Sequence, residues 1–170
     1  MFLWLIPEGA IELVEVEGDV NLSSLSGGLS LNQVKGNILA VSTTGILQMG
    51  SIEGTIRGHT ASGKIVMKNI RGIVELIETA SGDIQVELPE VADDWLGMIF
   101  SSATGDIEVS LPRNLGAKLR IKTVSGRISC DFAILARGEF EAGALAVPIN
   151  GGGPLVEIET TSGDIFLRQI

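Results

Sequence analysis

The chain has 170 residues and a formal net charge of −9; apolar residues make up 45%, aromatics 4%, and there is no Tyr. That apolar content excludes a disordered chain, and the acidic balance excludes nucleic acid, whose phosphates call for clustered Lys and Arg, as well as a purely electrostatic hold on anionic lipid. The core must be built from Ile, Leu and Val, with an acidic surface that favours solubility.

Residues Phe2-Leu3-Trp4-Leu5-Ile6 form the first apolar run, ended by Pro7. It is too short to cross a bilayer, and no basic segment precedes it. It reads as a first strand or apolar cap within residues 1–17, or as the remnant of an anchor.

Glycine then recurs at every ninth position: Gly9, Gly18, Gly27, Gly36, Gly45, Gly54, Gly63 and Gly72, after which the register slips by one to Gly82. Such a short fixed period marks a chain that coils on itself. The second residue after each glycine is apolar (Val20, Leu29, Ile38, Leu47, Ile56, Ile65, Val74, Ile84), and so is the fourth in most units (Leu22, Leu31, Ala40, Met49, Met67, Leu76, Val86). A third apolar position falls seven after Gly at Leu25, Val34, Ile52 and Ile70. Each unit is strand, bend, strand, and glycine supplies the bend because it adopts positive φ at little cost. One unit cannot bury its apolar face alone, but stacked units can.

Alternate units end in a hydroxyl-x-hydroxyl triplet: Ser24-Leu25-Ser26, Ser42-Thr43-Thr44, Thr60-Ala61-Ser62, Thr79-Ala80-Ser81, Ser102-Ala103-Thr104, Thr123-Val124-Ser125 and Thr160-Thr161-Ser162. The units between them end in Glu17-Gly18, Lys35-Gly36, Glu53-Gly54 and Arg71-Gly72. Two nonapeptide halves therefore make one winding of about 18 residues. The expected fold is all-β: a single-stranded parallel β-helix, or β-solenoid, right-handed like other parallel crossovers. Regular rungs span residues 18–88. Residues 89–170 read as wider rungs with inserts 88–100 and 111–123, each opening on Leu-Pro, and with the largest interruption at 133–154, which ends in Gly151-Gly152-Gly153-Pro154. Pro and Gly runs of this kind are strand ends and loops. No linker divides the chain, so residues 1–170 read as one domain.

Each candidate for chemistry competes with a plainer structural role. Asp19, Asp83, Asp106 and Asp164 follow their glycines, but calcium-binding β-rolls need a denser Gly-Gly-x-Gly-x-Asp pattern; an Asp bonding its own turn accounts for them. His59 is the only histidine and has no triad or zinc partners in the pattern. Cys130, the only cysteine, takes the fourth-after-Gly slot and reads as a small buried hydrophobe that forms no internal disulfide. Asp93-Asp94-Trp95 joins two carboxylates to an aromatic in an insert, the makings of a sugar platform or a hydrolase site, against a loop with Trp95 folded over the core. The hydroxyl triplets, placed by parity away from the side of the apolar residue seven after Gly, would form a ladder. It is either an ice-binding surface or, more simply, a set of corner-stabilising bonds to the backbone.

Ser81-Gly82-Asp83-Ile84, Thr104-Gly105-Asp106-Ile107 and Ser162-Gly163-Asp164-Ile165 resemble the repeated Ser-Gly-Asp-Ile of the DUF4097 family, bacterial and archaeal proteins described as adhesins. The exits Leu88-Pro89 and Leu111-Pro112 and the closing Gly-Gly-Gly-Pro run add to the likeness, which covers roughly residues 18–170. The resemblance implies a β-solenoid, often linked to the cell envelope, with no established enzymatic activity. No functional residue carries over, because the shared motif is structural.

The expected function is a non-catalytic structural or adhesin-like interaction module, not an enzyme, with no catalytic, cofactor-binding or metal-binding residues. Its partner would be a protein or a surface glycan. The alternatives are a self-assembling polymer resembling the bactofilins, joined through solenoid ends at 2–6 and 166–170, and a carbohydrate-binding or carbohydrate-cleaving β-helix. Neither nucleic acid binding nor membrane insertion by this segment is expected. Its location would be the envelope or outside the cell if a native anchor or signal accompanies it, and the cytoplasm otherwise.

Overall fold

The computed structural model describes residues 2–133 and 143–170, so Met1 and part of the largest interruption lie outside the described residues. Among them every regular element is a strand. One row of strands consists of β1 (Phe2–Glu8), β3 (Val20–Ser26), β5 (Ile38–Thr44), the second half of β6 (Leu47–Ser62), β8 (Arg71–Ser81) and β11 (Gly97–Thr104). The other consists of β2 (Ile11–Glu17), β4 (Leu29–Lys35), the first half of β6, β7 (Ile65–Lys68), β9 (Ile84–Glu87) and β12 (Ile107–Leu111). Within each row neighbours pair in parallel at a spacing of one winding: Val20 lies beside Ile38, and Ile38 beside Ile56. Short β10 (Glu90–Val91) pairs with the start of β8. The fold is thus all-β and solenoid-like, as the period predicts.

The two halves of a winding solve the same problem differently. In the row of β3, simple alternation carries Val20, Leu22 and Ser24 inward. In the row of β4, the sixth residue after Gly takes a left-handed conformation: Glu15, Gln33, Ser51 and Asn69 have φ between 52° and 56°. That residue resets the parity, so the seventh position turns inward and Val34, Ile52 and Ile70 are fully buried. Leu25 has no such shift and is exposed. The one-residue slip before Gly82 has a local cause too: the pairing of β6 with β8 jumps between Ile56–Val74 and Arg57–Leu76, leaving Glu75 as the extra, bulged residue.

Inward columns from both rows meet in one apolar cluster running from Ile11 to Leu167. Ile38, Ile56 and Val74 are buried, as the stacked-coil reading requires. Each fully buried Ile or Leu contributes about 1.5–3 kcal/mol. The corners approach still more closely. Gly63 has φ +153°, and a Cβ there would overlap the carbonyl oxygen of Gly45 and lie 2.8 Å from its carbonyl carbon. The glycine period is therefore set both by the turn and by backbone contact between windings.

The far end departs from simple succession in two ways. The final strands β16 (Leu155–Ser162) and β17 (Ile165–Gln169) do not form the last winding: β16 lies between β11 and β13 (Ala117–Ser125), and β17 between β12 and β14 (Ile128–Cys130). In addition, β15 (Ala144–Ile149) pairs antiparallel with β13, so the sheet is mixed and not purely parallel.

Candidate functional site

The repeated polar residues act between windings. Asp83 Oδ1 accepts the backbone N–H of Asp106 at 3.1 Å, Asp106 Oδ1 that of Asp164 at 2.7 Å, and Asp164 Oδ1 that of Arg127 at 2.8 Å. Asp19 does the same for Asn37. The aspartate of Ser-Gly-Asp-Ile thus satisfies a corner N–H of the next winding in space, and a bond to its own turn is not its role. The carboxylates form a column, and among the described residues no group of three or more His, Cys, Asp or Glu is placed to hold a metal.

The hydroxyl triplets split. Their first members, Ser24, Ser42, Thr60, Thr79, Ser102, Thr160 and Thr123, are all buried in one inward column. Thr79, Ser102, Thr160 and Thr123 donate to the carbonyls of Gly63, Gly82, Gly105 and Gly163. Ser24 and Ser42 donate to carbonyls two residues on. An outward ice-binding ladder of both members is therefore overturned, because strand alternation aims the first hydroxyl into the core. Thr60 Oγ1 is the exception: it is buried without a partner among the described residues.

His59 lies on the outer surface, its Nδ1 3.7 Å from Glu78. The outer face carries ion pairs across neighbouring strands: Arg57 with Glu75 close by, and Arg120 with Glu157 and Lys122 with Glu159 several windings away. Exposed pairs of this kind contribute little to stability but set charge register. Cys130 is half-buried on β14 and not fully buried as its slot predicts, since among the described residues β14 pairs on one side only. Burial pushes its thiol pKa up; the Phe132 backbone hydrogen bond opposes this and the Asp131 charge adds to it.

The polymer reading loses the 166–170 segment as an end, and among the described residues β14 is the strand left there with a single parallel partner. The 166–170 segment is flanked by strands on both sides, so it offers no open rung. At the other end, among the described residues, β1 pairs only with β3 and β2 only with β4.

Trp95 settles into the core with 8% of its surface exposed, held in a turn by its backbone N–H to Ala92. Asp93 and Asp94 stay exposed on the loop, so the triplet does not present an open aromatic platform. Instead the 88–97 insert faces the 111–116 insert across a cleft of about 450 Å³. Pro89, Glu90, Asp93 and Trp95 come from the first insert, and Pro112 and Asn114 from the second. The sequence reading missed Glu90 and Asn114. Their separation along the chain carries no signal, and only the stacking of two Leu-Pro exits at the same corner brings them together.

Residues 17–168 match the family model described as Toastrack DUF4097. No curated protein and no solved structure matches the chain.

Proposed function

This chain belongs to the Toastrack DUF4097 family, and we propose that it serves as a non-catalytic, adhesin-like interaction module of the cell envelope, built on a right-handed single-stranded coil. One observation carries the non-catalytic part. The aspartates and hydroxyls that recur along the chain are engaged in joining winding to winding, through bonds such as Asp106 to the Asp164 N–H and Thr160 to the Gly105 carbonyl. Residues tied in this way hold a scaffold rigid and leave its loops to vary. The envelope and adhesin parts rest on the Ser-Gly-Asp-Ile resemblance. The test is incubation of the protein with a panel of polysaccharides, scored for release of reducing ends, beside cell fractionation of the native gene product. Release of sugar overturns the non-catalytic reading, and confinement to the cytosol overturns the envelope one.

Self-association is a second reading, through the N-terminal winding or, among the described residues, the open edge of β14. The one-sided pairing of β1 and β2 favours it, since unpaired parallel edges invite a further strand. Sedimentation across a concentration series tests it; a strict monomer at the highest concentration removes it. No helix among the described residues is long and apolar enough to cross a membrane.

A further inference from the structure

The winding 155–170 sits out of chain order, and the segment 112–116 must pass it on the way from β12 to β13. That segment is fastened at both ends of the inserted winding. At the exit, the Arg113 N–H donates to the Ile170 carbonyl at 3.1 Å, and the Ile170 N–H to the Leu111 carbonyl at 3.0 Å. At the entry a side chain does the fastening: Asn150 Nδ2 donates to the carbonyl oxygens of Arg113 at 2.7 Å and Leu115 at 2.9 Å. Both acceptors are carbonyls, so only the amide nitrogen suits them, and each of its protons is used. The backbones meet closely here, since a Cβ on Gly153 would overlap the Gly116 carbonyl. Just beyond, the Lys118 N–H donates to the Pro154 carbonyl at 2.9 Å, where the chain enters β16.

Asn150 is also the one asparagine followed by glycine: Asn21, Asn32, Asn37, Asn69 and Asn114 precede Leu, Gln, Ile, Ile and Leu. Asparagine is chemically labile, and before glycine it can modify itself. The Gly151 nitrogen attacks Asn150 Cγ. A C–N bond closes a succinimide ring, the Cγ–Nδ2 bond breaks, and ammonia leaves with the Gly151 amide proton. Water then opens the ring at either carbonyl, giving aspartate, or isoaspartate with an extra main-chain carbon. Glycine permits the attack because no Cβ shields its nitrogen. At Gly151 a Cβ would meet nothing within 4 Å, and both residues are exposed to water. While the contact is closed the reaction is held back. The amide protons are engaged, and the Gly152 N–H to the Ile149 carbonyl at 2.9 Å fixes the turn with Asn150 at φ 47°. After reaction, aspartate sets an anionic acceptor against two carbonyl oxygens with no donor between them, and isoaspartate lengthens the turn. We infer that Asn150-Gly151 is a latch with its own modification site: the intact amide fastens the winding 155–170 in its slot, and deamidation after a local opening leaves that winding unfastened. A reversible opening thereby becomes a permanent one.

The test ages the full chain in mildly alkaline buffer, folded and in urea, and maps deamidation by peptide mass. Conversion is expected first at Asn150, and several-fold more slowly in the folded chain than in urea. Equal rates would show that the amide is not held, and conversion of other asparagines with Asn150 intact would show that it is not the site; either result overturns the proposal. Hydrogen exchange then reads the latch. The aged protein, separated by its added negative charge, and the Asn150→Asp variant should both exchange several-fold faster than the parent over 112–117 and 155–160, with 20–62 unchanged. Asn150→Ala loses the two bonds but sets no anion against the carbonyls, so it should fall between the parent and Asn150→Asp. If Asn150→Asp does not fold, the aged and purified parent supplies the same readout. Exchange over 155–160 that matches the parent's in the aged protein would overturn the latch, whatever the chemistry at Asn150.

Discussion

Replacement of Gly63 by Ala tests the stacked corners directly. Two costs arise there, and Gly9 separates them. Both glycines hold positive φ, +153° at Gly63 and +110° at Gly9, so an alanine at either carries backbone strain of about 1–3 kcal/mol. At Gly9 nothing lies within 4 Å of the added Cβ. At Gly63 the Cβ would meet the backbone of Gly45, with Gly45 N 3.2 Å away, and backbone cannot rotate aside as a side chain can. The two windings must part locally, which puts at risk the corner bonds Gly45 N to Ser62 O at 3.1 Å and Gly63 N to Ser81 O at 2.9 Å. At about 0.5–1.5 kcal/mol each, Gly63→Ala should exceed Gly9→Ala by about 1–3 kcal/mol. Urea unfolding measures this as a lower midpoint for Gly63→Ala at unchanged slope. Equal shifts for the two variants would mean that turn strain alone explains the glycine period, and the contact between windings would be refuted as its cause.

Four further outcomes are expected. Thr60→Val should be neutral or stabilising, since it deletes a buried hydroxyl without a partner, whereas Thr160→Val should cost about 0.5–1.5 kcal/mol by removing the bond to Gly105; thermal melts of the two variants should move apart. Asp106→Ala should lower stability by about 1 kcal/mol, while Asp106→Asn, which keeps an acceptor for the Asp164 N–H, should recover most of that in the same melts. Deleting residues 155–170 takes a winding out from between β11–β12 and β13–β14, so hydrogen exchange should show protection lost over 117–130 and kept over 20–62; protection kept over 117–130 would contradict the inserted order. Cys130 should be alkylated with a half-rate pH above that of an ordinary thiol. Because its folded pKa is raised, the unfolded chain loses its proton first on going alkaline, and the thiol's effect on stability is a decline that begins at the ordinary thiol pKa and levels off above the folded one.

Much of the candidate cleft was illegible in the sequence, although parts of it were visible. Asp93-Asp94-Trp95 stood out because three informative residue types are adjacent. Their fate turned on tertiary packing: Trp95 joined the core, and Asp93 found its companions Glu90 and Asn114 on either side of a winding. The hydroxyl triplets were legible as a ladder on the side away from Leu25, with bonds to the corner backbone, but not as facing the core. The parity of each half depends on whether its sixth residue is left-handed, as Ser51 and Asn69 are, or extended as Thr60 is, and composition does not distinguish the two.

By itself the sequence determined the coil. Glycine every nine residues with apolar residues two and four beyond it is a local code, and local geometry alone turns it into corners and inward columns such as Val20, Ile38 and Ile56. Only the tertiary structure decided who lies beside whom. Strand-turn-strand units with the same code offer interchangeable edges, so nothing in the pattern of 155–170 says that it belongs between two earlier windings. That choice falls to long-range pairing, where the antiparallel return of β15 along β13 leaves the other edge of β13 to receive β16.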